Sequence, residues 1–281
     1  MGYSLAVLLS GSYVMFCVMN TPQKSSNWFY IQKPKPAAVL RLFCFPYAGG
    51  GAAIFRDWFK SLPDEIEVIA IRPPGRENRF GEAPIGCLPT LVQLLYQNIL
   101  PLLDKPFIFL GHSNGALTCF ELARLLEAKQ GPAPGKVILS AKCPPHIPSP
   151  TKNISHLPNV EFLAELKDMG GTPAEILQNK ELMELLLPIL KADFSLSENF
   201  VHENNTLLKS ETILFHGVQD RFSKEQNGAW QGLLLKPVKL FEFSDGHFFI
   251  DSQREEFLSL TNHLIKEHLM ITGEQSYPSG Y

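Results

Sequence analysis

Residues 111–115 read GHSNG, an instance of the pattern G-x-S-x-G. A serine hydroxyl is a poor nucleophile until a neighbouring base takes its proton. In this pattern the serine sits on a sharp turn between a strand and a helix, so its Oγ projects above the sheet edge. The helix N-terminus beside it favours developing negative charge. The pattern alone is weak, because any long chain can contain it. Its setting is specific: the apolar run FIFL leads directly into it, and a helical pattern follows over residues 116–129. Gly111 and Gly115 are expected to be small because a side chain at either would strike the neighbouring strand or helix. Ser113 is therefore the expected nucleophile.

A base and an acid should follow in the order Ser, Asp, His. Position must decide among eight histidines. His247 lies in SDGHFF, just after the strand-like KLFEF and before the last helical pattern. A loop there would deliver an imidazole to the strand ends. His112 neighbours the serine but should point elsewhere. His146, His156 and His202 fall in a helical stretch, His263 and His268 on the terminal helix, and His216, ending a strand, is the rival. The acid should follow the penultimate strand, and ETILFHGVQD ends at Asp220. Its carboxylate would fix the imidazole tautomer and stabilise the imidazolium. Asp245 is the rival, though it stands only two residues from His247. Asp193, on a predicted helix, reads as structural. An oxyanion needs two backbone N–H donors: Asn114, after the nucleophile, and Tyr47 or Ala48 in FPYAGG. Each such donor is worth about 2.7–4 kcal/mol of barrier. The glycine run lacks the spacing and lysine of a phosphate loop.

The elements that must hold these groups alternate. Residues 38–45 (AVLRLFCF) form an apolar run bounded by prolines, as a buried strand requires. Residues 54–62 carry Phe55, Trp58, Phe59 and Leu62 at helical spacing. Strand patterns recur at 67–71, 107–110, 136–140, 212–215 and 238–243, and a further helical pattern spans 91–103. Alternation of this kind predicts a mostly parallel sheet covered on both faces. Residues 144–208 break it with helical patterns at 160–169 and 180–194, Thr172 being a candidate cap. A helical lid over the site, or a merely structural layer, would produce this stretch. The expected organisation is a leader over 1–36, one α/β-hydrolase domain over 37–270 with its lid at about 144–208, and a tail over 271–281.

Of the 281 residues 45% are hydrophobic and 19% charged, and the formal net charge is −3. That is ordinary for a globular protein and lacks the basic footprint of a nucleic-acid binder. Five widely spaced cysteines, none in a CxxC pair, argue against a disulfide framework or structural zinc. A reducing, cytoplasmic setting is expected, with no cofactor, no stable membrane association and a monomeric state. Residues 1–18 are apolar and uncharged. A start placed too early (Met19 opens a polar stretch), an anchor or signal, and a structured extension all fit them.

Taken together and in order, FCFPYAGGGA, RPPGRENR, KPFIFLGHSNG, LKADF and FSDGHFF resemble the type II thioesterases, stand-alone editing enzymes of nonribosomal peptide and polyketide synthesis. The related medium-chain acyl thioesterases of fatty acid synthesis share the pattern. The resemblance runs from about Val39 to the terminal helix. It implies an α/β-hydrolase fold with a helical lid and the triad Ser113, Asp220, His247. The implied substrate is an acyl or aminoacyl group on the phosphopantetheine arm of an acyl or peptidyl carrier protein. Two positions depart from the family: Asn114 stands where methionine is common, and Tyr47 where histidine often stands. Both bear on acyl preference. Arg72, Arg76 and Arg79 would either meet a carrier protein or pair within their own loop.

Overall fold

A computed structural model describes residues 27–202 and 206–274. The questions about Met19 and residues 1–18, and most of the tail, lie outside the described residues. Seven strands form one sheet: β1 (Phe29–Tyr30), β2 (Leu40–Phe45), β3 (Ile66–Ile71), β4 (Phe107–His112), β5 (Lys136–Ser140), β6 (Glu211–Gly217) and β7 (Lys239–Phe243). Their order is β1-β3-β2-β4-β5-β6-β7. Every neighbouring pair is parallel except β1 with β3.

The strands read as near-continuous apolar runs because both sheet faces are covered. Side chains alternate between faces at period two. Phe43, Phe45, Phe109, Val137 and Leu139 enter one core, with Leu95 of α1 (Leu88–Ile99) and Phe120 of α2 (Asn114–Ala128). Leu42, Cys44, Ile108, Leu110 and Ile138 enter the other, with Phe55, Trp58 and side chains of α8 (Arg254–Glu274). A third apolar cluster joins α3 (Asn159–Met169) to α5 (Lys180–Glu198) through Phe162, Leu166, Met183, Leu187 and Leu190, with α4 (Ala174–Gln178) between them. These three helices form the layer inserted between β5 and β6. Two short helices, α6 (Lys224–Gly228) and α7 (Phe249–Ser252), follow β6 and β7.

The chain steps outward from β2 to β3, then crosses back to β4 on the other side of β2. Such a reversal leaves a crevice at the carboxyl ends of the two central strands. Here Phe45 pairs with Gly111, so the glycine loop after β2 and the turn after β4 face each other across it.

The structure departs from the sequence reading in four places. Residues 54–62 form no α-helix but two 3₁₀ turns, Ala52–Phe55 and Trp58–Lys60. Phe55 and Trp58 stand three apart and meet edge to face with centroids 4.9 Å apart, a spacing a 3₁₀ path also satisfies. The helix expected over 91–103 begins at Leu88 and gives way at Leu100 to a 3₁₀ turn containing Pro101. β1 falls inside the stretch read as leader, where two residues are too short for a periodic signal. Thr172 does not cap α4, whose N-cap is Pro173.

Candidate active site

The turn after β4 places Ser113 at φ 55° and ψ −119°, a left-handed conformation strained for a residue with a Cβ. Such strain costs of order 1–3 kcal/mol and persists only where the surroundings impose it. They do so here: the Ser113 N–H donates to the Ser140 carbonyl at 2.8 Å. A Cβ on Gly111 would lie 2.2 Å from the Gly115 carbonyl oxygen, and one on Gly115 would lie 2.1 Å from that of Phe45. Both glycines are therefore required by close backbone approach.

Ser113 Oγ lies 3.0 Å from His247 Nε2, and His247 Nδ1 lies 2.9 Å from Asp220 Oδ2. The structure thus brings the three residues into one hydrogen-bonded chain from three separate loops. The loops after β6 and β7 touch at Gly217, where a Cβ would meet the carbonyl oxygens of Gly246 and Asp245 within 2.7 Å. Asp220 is fully buried at its carboxylate, which also accepts the Arg221 N–H at 2.6 Å. The rivals stand elsewhere. Asp245 accepts from Gly246 and Ser252, and the buried His216 ring bonds Asn227 at 2.8 Å.

His112 does point away from Ser113, but it supports His247. Its Nε2 donates to the His247 carbonyl at 2.8 Å, which leaves Nδ1 to accept from the Ser140 hydroxyl at 2.9 Å. Burial, with the neighbouring His247, holds its pKa well below the ordinary value, so it stays neutral in that tautomer.

Asn114 N–H, at the first position of α2, has no acceptor within its helix. Across the crevice, Gly49 N–H is taken by Asp193 Oδ2 at 2.7 Å, whereas Tyr47 and Ala48 line the cavity above Ser113. The Tyr47 hydroxyl donates to Asp251 at 3.0 Å, which ties the glycine loop to α7. Burial and the Asp251 charge push its pKa up.

Asp193 is structural, as its helical pattern predicts, and the site shows what it holds. On α5, it makes a two-pronged ion pair with Arg76 at 2.7 and 2.8 Å, both residues being more than nine-tenths buried. Arg76 also donates to the Gly50 carbonyl at 2.7 Å, and the Asp193 carbonyl accepts the Asn114 side-chain amide at 2.5 Å. One residue therefore joins the lid layer, the glycine loop and the residue after Ser113: its carboxylate takes Gly49 and Arg76, and its backbone carbonyl takes Asn114. RPPGRENR and LKADF lie far apart along the chain, and this pair is their physical link. Arg72 binds Glu77, and Arg79 binds Glu82 while lying 4.0 Å over Trp28. Arg72 and Arg79 thus pair within their own loop, and Arg76 pairs outside it, with α5.

The cavity over Ser113 has a volume of about 430 Å³, within the range of small-molecule sites. Leu117 of α2, Leu166 of α3, Leu190 and Phe194 of α5, Phe222 and Phe248 form its apolar wall. Lys142, beyond β5, lines it too, as does the exposed Arg221, and sequence reasoning passed over both. Among the described residues no helix is long and apolar enough to cross a membrane.

The family model described as thioesterase domain matches residues 40–265. The chain is 38% identical to gramicidin S biosynthesis protein GrsT of Aneurinibacillus migulanus, over 83% of this chain and 91% of that one. It is 30% identical to the human medium-chain S-acyl fatty acid synthase thioesterase, over 86% and 92% of the two chains. Its fold superposes on YbtT, a type II thioesterase of the yersiniabactin pathway, with a TM-score of 0.77 at 30% identity, covering 86% of this chain and 99% of that one. With its parallel sheet and inserted helical layer, the chain belongs to the thioesterase family and has the α/β-hydrolase fold of the type II thioesterases.

Proposed function

We propose that this protein hydrolyses acyl or aminoacyl thioesters on the phosphopantetheine arm of a carrier protein, editing nonribosomal peptide or polyketide synthesis in the cytoplasm. The observation that carries the reading is the chain Ser113 Oγ, His247 Nε2, Asp220 at the floor of the lidded cavity.

In the first half-reaction His247 Nε2 takes the Ser113 proton as Oγ attacks the thioester carbonyl. Asp220 holds the other ring nitrogen protonated and stabilises the imidazolium. The oxyanion receives the Asn114 N–H and that of Tyr47 or Ala48. Collapse breaks the carbon–sulfur bond, and His247 returns its proton to the departing pantetheine sulfur. Water then enters, His247 takes one of its protons, and attack on acyl-Ser113 releases the carboxylic acid and the restored hydroxyl. No metal or cofactor enters these steps; the substrate brings its own phosphopantetheine.

The test compares acyl-pantetheine thioesters with matched oxygen esters. Thioesters should turn over faster, and Ser113→Ala should lose about 10⁶-fold in kcat while keeping its fold. A strong oxygen-ester preference would assign the protein to ester hydrolysis instead. The human relative favours a second reading, release of medium-length fatty acyl chains. It predicts a steep rise of kcat/KM with alkyl length on carrier-bound substrates.

A further inference from the structure

The cavity wall holds one feature that hydrolysis does not use. Lys142 lies two residues beyond Ser140, whose carbonyl holds the Ser113 N–H. Its own carbonyl accepts the Trp230 indole N–H at 2.6 Å, which fixes the base of the side chain. Its ammonium reaches the Asn114 amide oxygen at 3.5 Å, a long contact. The Asn114 amide nitrogen is committed to the Asp193 carbonyl, so its oxygen must face Lys142. No carboxylate stands within ion-pair distance of that ammonium among the described residues. Glu198, a lid carboxylate in the cavity wall, is taken up by the Ile154 and Ser155 N–H groups at 2.9 and 2.8 Å. Burial lowers the Lys142 pKa to about 8, which leaves the ammonium form predominant at neutral pH.

Lys142 shares the cavity wall with Leu117, Leu190, Phe194 and Phe222, and Glu198 and Asp220 act on it only through space, so its desolvated ammonium gains from an oxygen placed against it. The cavity that it faces is the one open to the acyl group on Ser113. We propose that Lys142, backed by the Asn114 amide oxygen, is an acyl-side subsite that selects chains bearing a hydroxyl, keto or carboxylate oxygen. A plain alkyl chain leaves the ammonium unpaired, and an aminoacyl chain brings a second cation beside it. Asn114 then has a physical reason to stand where methionine is common in the family: its amide oxygen accepts from Lys142 far better than a thioether sulfur would.

The assignment rests on the thioester hydrolysis proposed above. The experiment therefore measures full-length wild type, Lys142→Met, Lys142→Arg and Ser113→Ala on butanoyl-, 3-hydroxybutanoyl-, succinyl- and 4-aminobutanoyl-pantetheine. In the wild type the two oxygen-bearing chains should exceed butanoyl in kcat/KM, and the amino chain should fall below it. In Lys142→Met the ratio of oxygen-bearing to butanoyl substrates should fall about 10- to 100-fold, as expected for one hydrogen bond to a charged group. Lys142→Arg should keep the preference. Equal ratios in wild type and Lys142→Met, or equal loss in the Met and Arg variants, would overturn the subsite and leave Ser113-dependent hydrolysis standing. Failure of the wild type to hydrolyse any of the thioesters would overturn both.

Discussion

Removing the Asp193 carboxylate should damage stability and catalysis separately. In Asp193→Ala, Arg76 is left as a buried, unpaired cation, and loss of one partner of such a pair costs about 3–5 kcal/mol. The same change frees Gly49 N–H, the bond that sets the glycine loop carrying Tyr47 and Ala48. If a loop donor leaves the oxyanion, the barrier rises by about 2.7–4 kcal/mol, or about 10²–10³-fold in kcat. KM should move little, because neither Asp193 nor Arg76 lines the cavity over Ser113. The assay is urea denaturation beside steady-state hydrolysis of a pantetheine thioester, at a temperature where circular dichroism shows the variant folded. The double variant Arg76→Met with Asp193→Leu separates the two effects. An apolar pair of similar volume can replace a buried ion pair at little cost in stability. That variant should regain stability without regaining kcat, since nothing then holds Gly49. Recovery of kcat together with stability, or kcat within about threefold of wild type in folded Asp193→Ala, less than 1 kcal/mol of barrier, would refute the positioning role.

Three further outcomes follow from the same geometry. Asp220→Asn should keep the fold yet lower kcat by about 10⁴-fold, because the amide favours the wrong imidazole tautomer; activity near wild type would shift the acid to another residue. Gly115→Ala should yield little folded protein, since its Cβ would lie 2.1 Å from the Phe45 carbonyl oxygen, and a wild-type melting temperature would contradict that contact. Burial lowers the pKa values of His112, His146, His216 and His268, so the unfolded chain binds more protons than the folded one below the ordinary value of 6.5. Stability present above that pH should be lost as pH falls through and below it, and a melting temperature flat from pH 7.5 to 5.5 would contradict the sign.

Local features of the sequence were enough for much of this protein. Runs such as FIFL and AVLRLFCF fit buried strands of a sheet covered on both faces, and their alternation with helical patterns sets the layer order. The G-x-S-x-G turn is likewise a local event, dictated by backbone contacts between Gly111, Gly115 and Phe45. Asp220 and His247 were legible because strand ends on one sheet edge must deliver their loops to one place. The 3₁₀ path of residues 52–60 was not, since Phe55 and Trp58 at a spacing of three suit both helix types and only packing chooses between them. Lys142 carries no pattern at all; its meaning is the cavity it faces. Asp193 marks the boundary most clearly. Its helix was readable from periodicity, but its partners Arg76, Gly49 and Asn114 lie 117, 144 and 79 residues away. Periodicity reports the environment of a residue along its own element. The pairing of a buried charge depends on which distant element the fold sets beside it, and only the tertiary structure decides that.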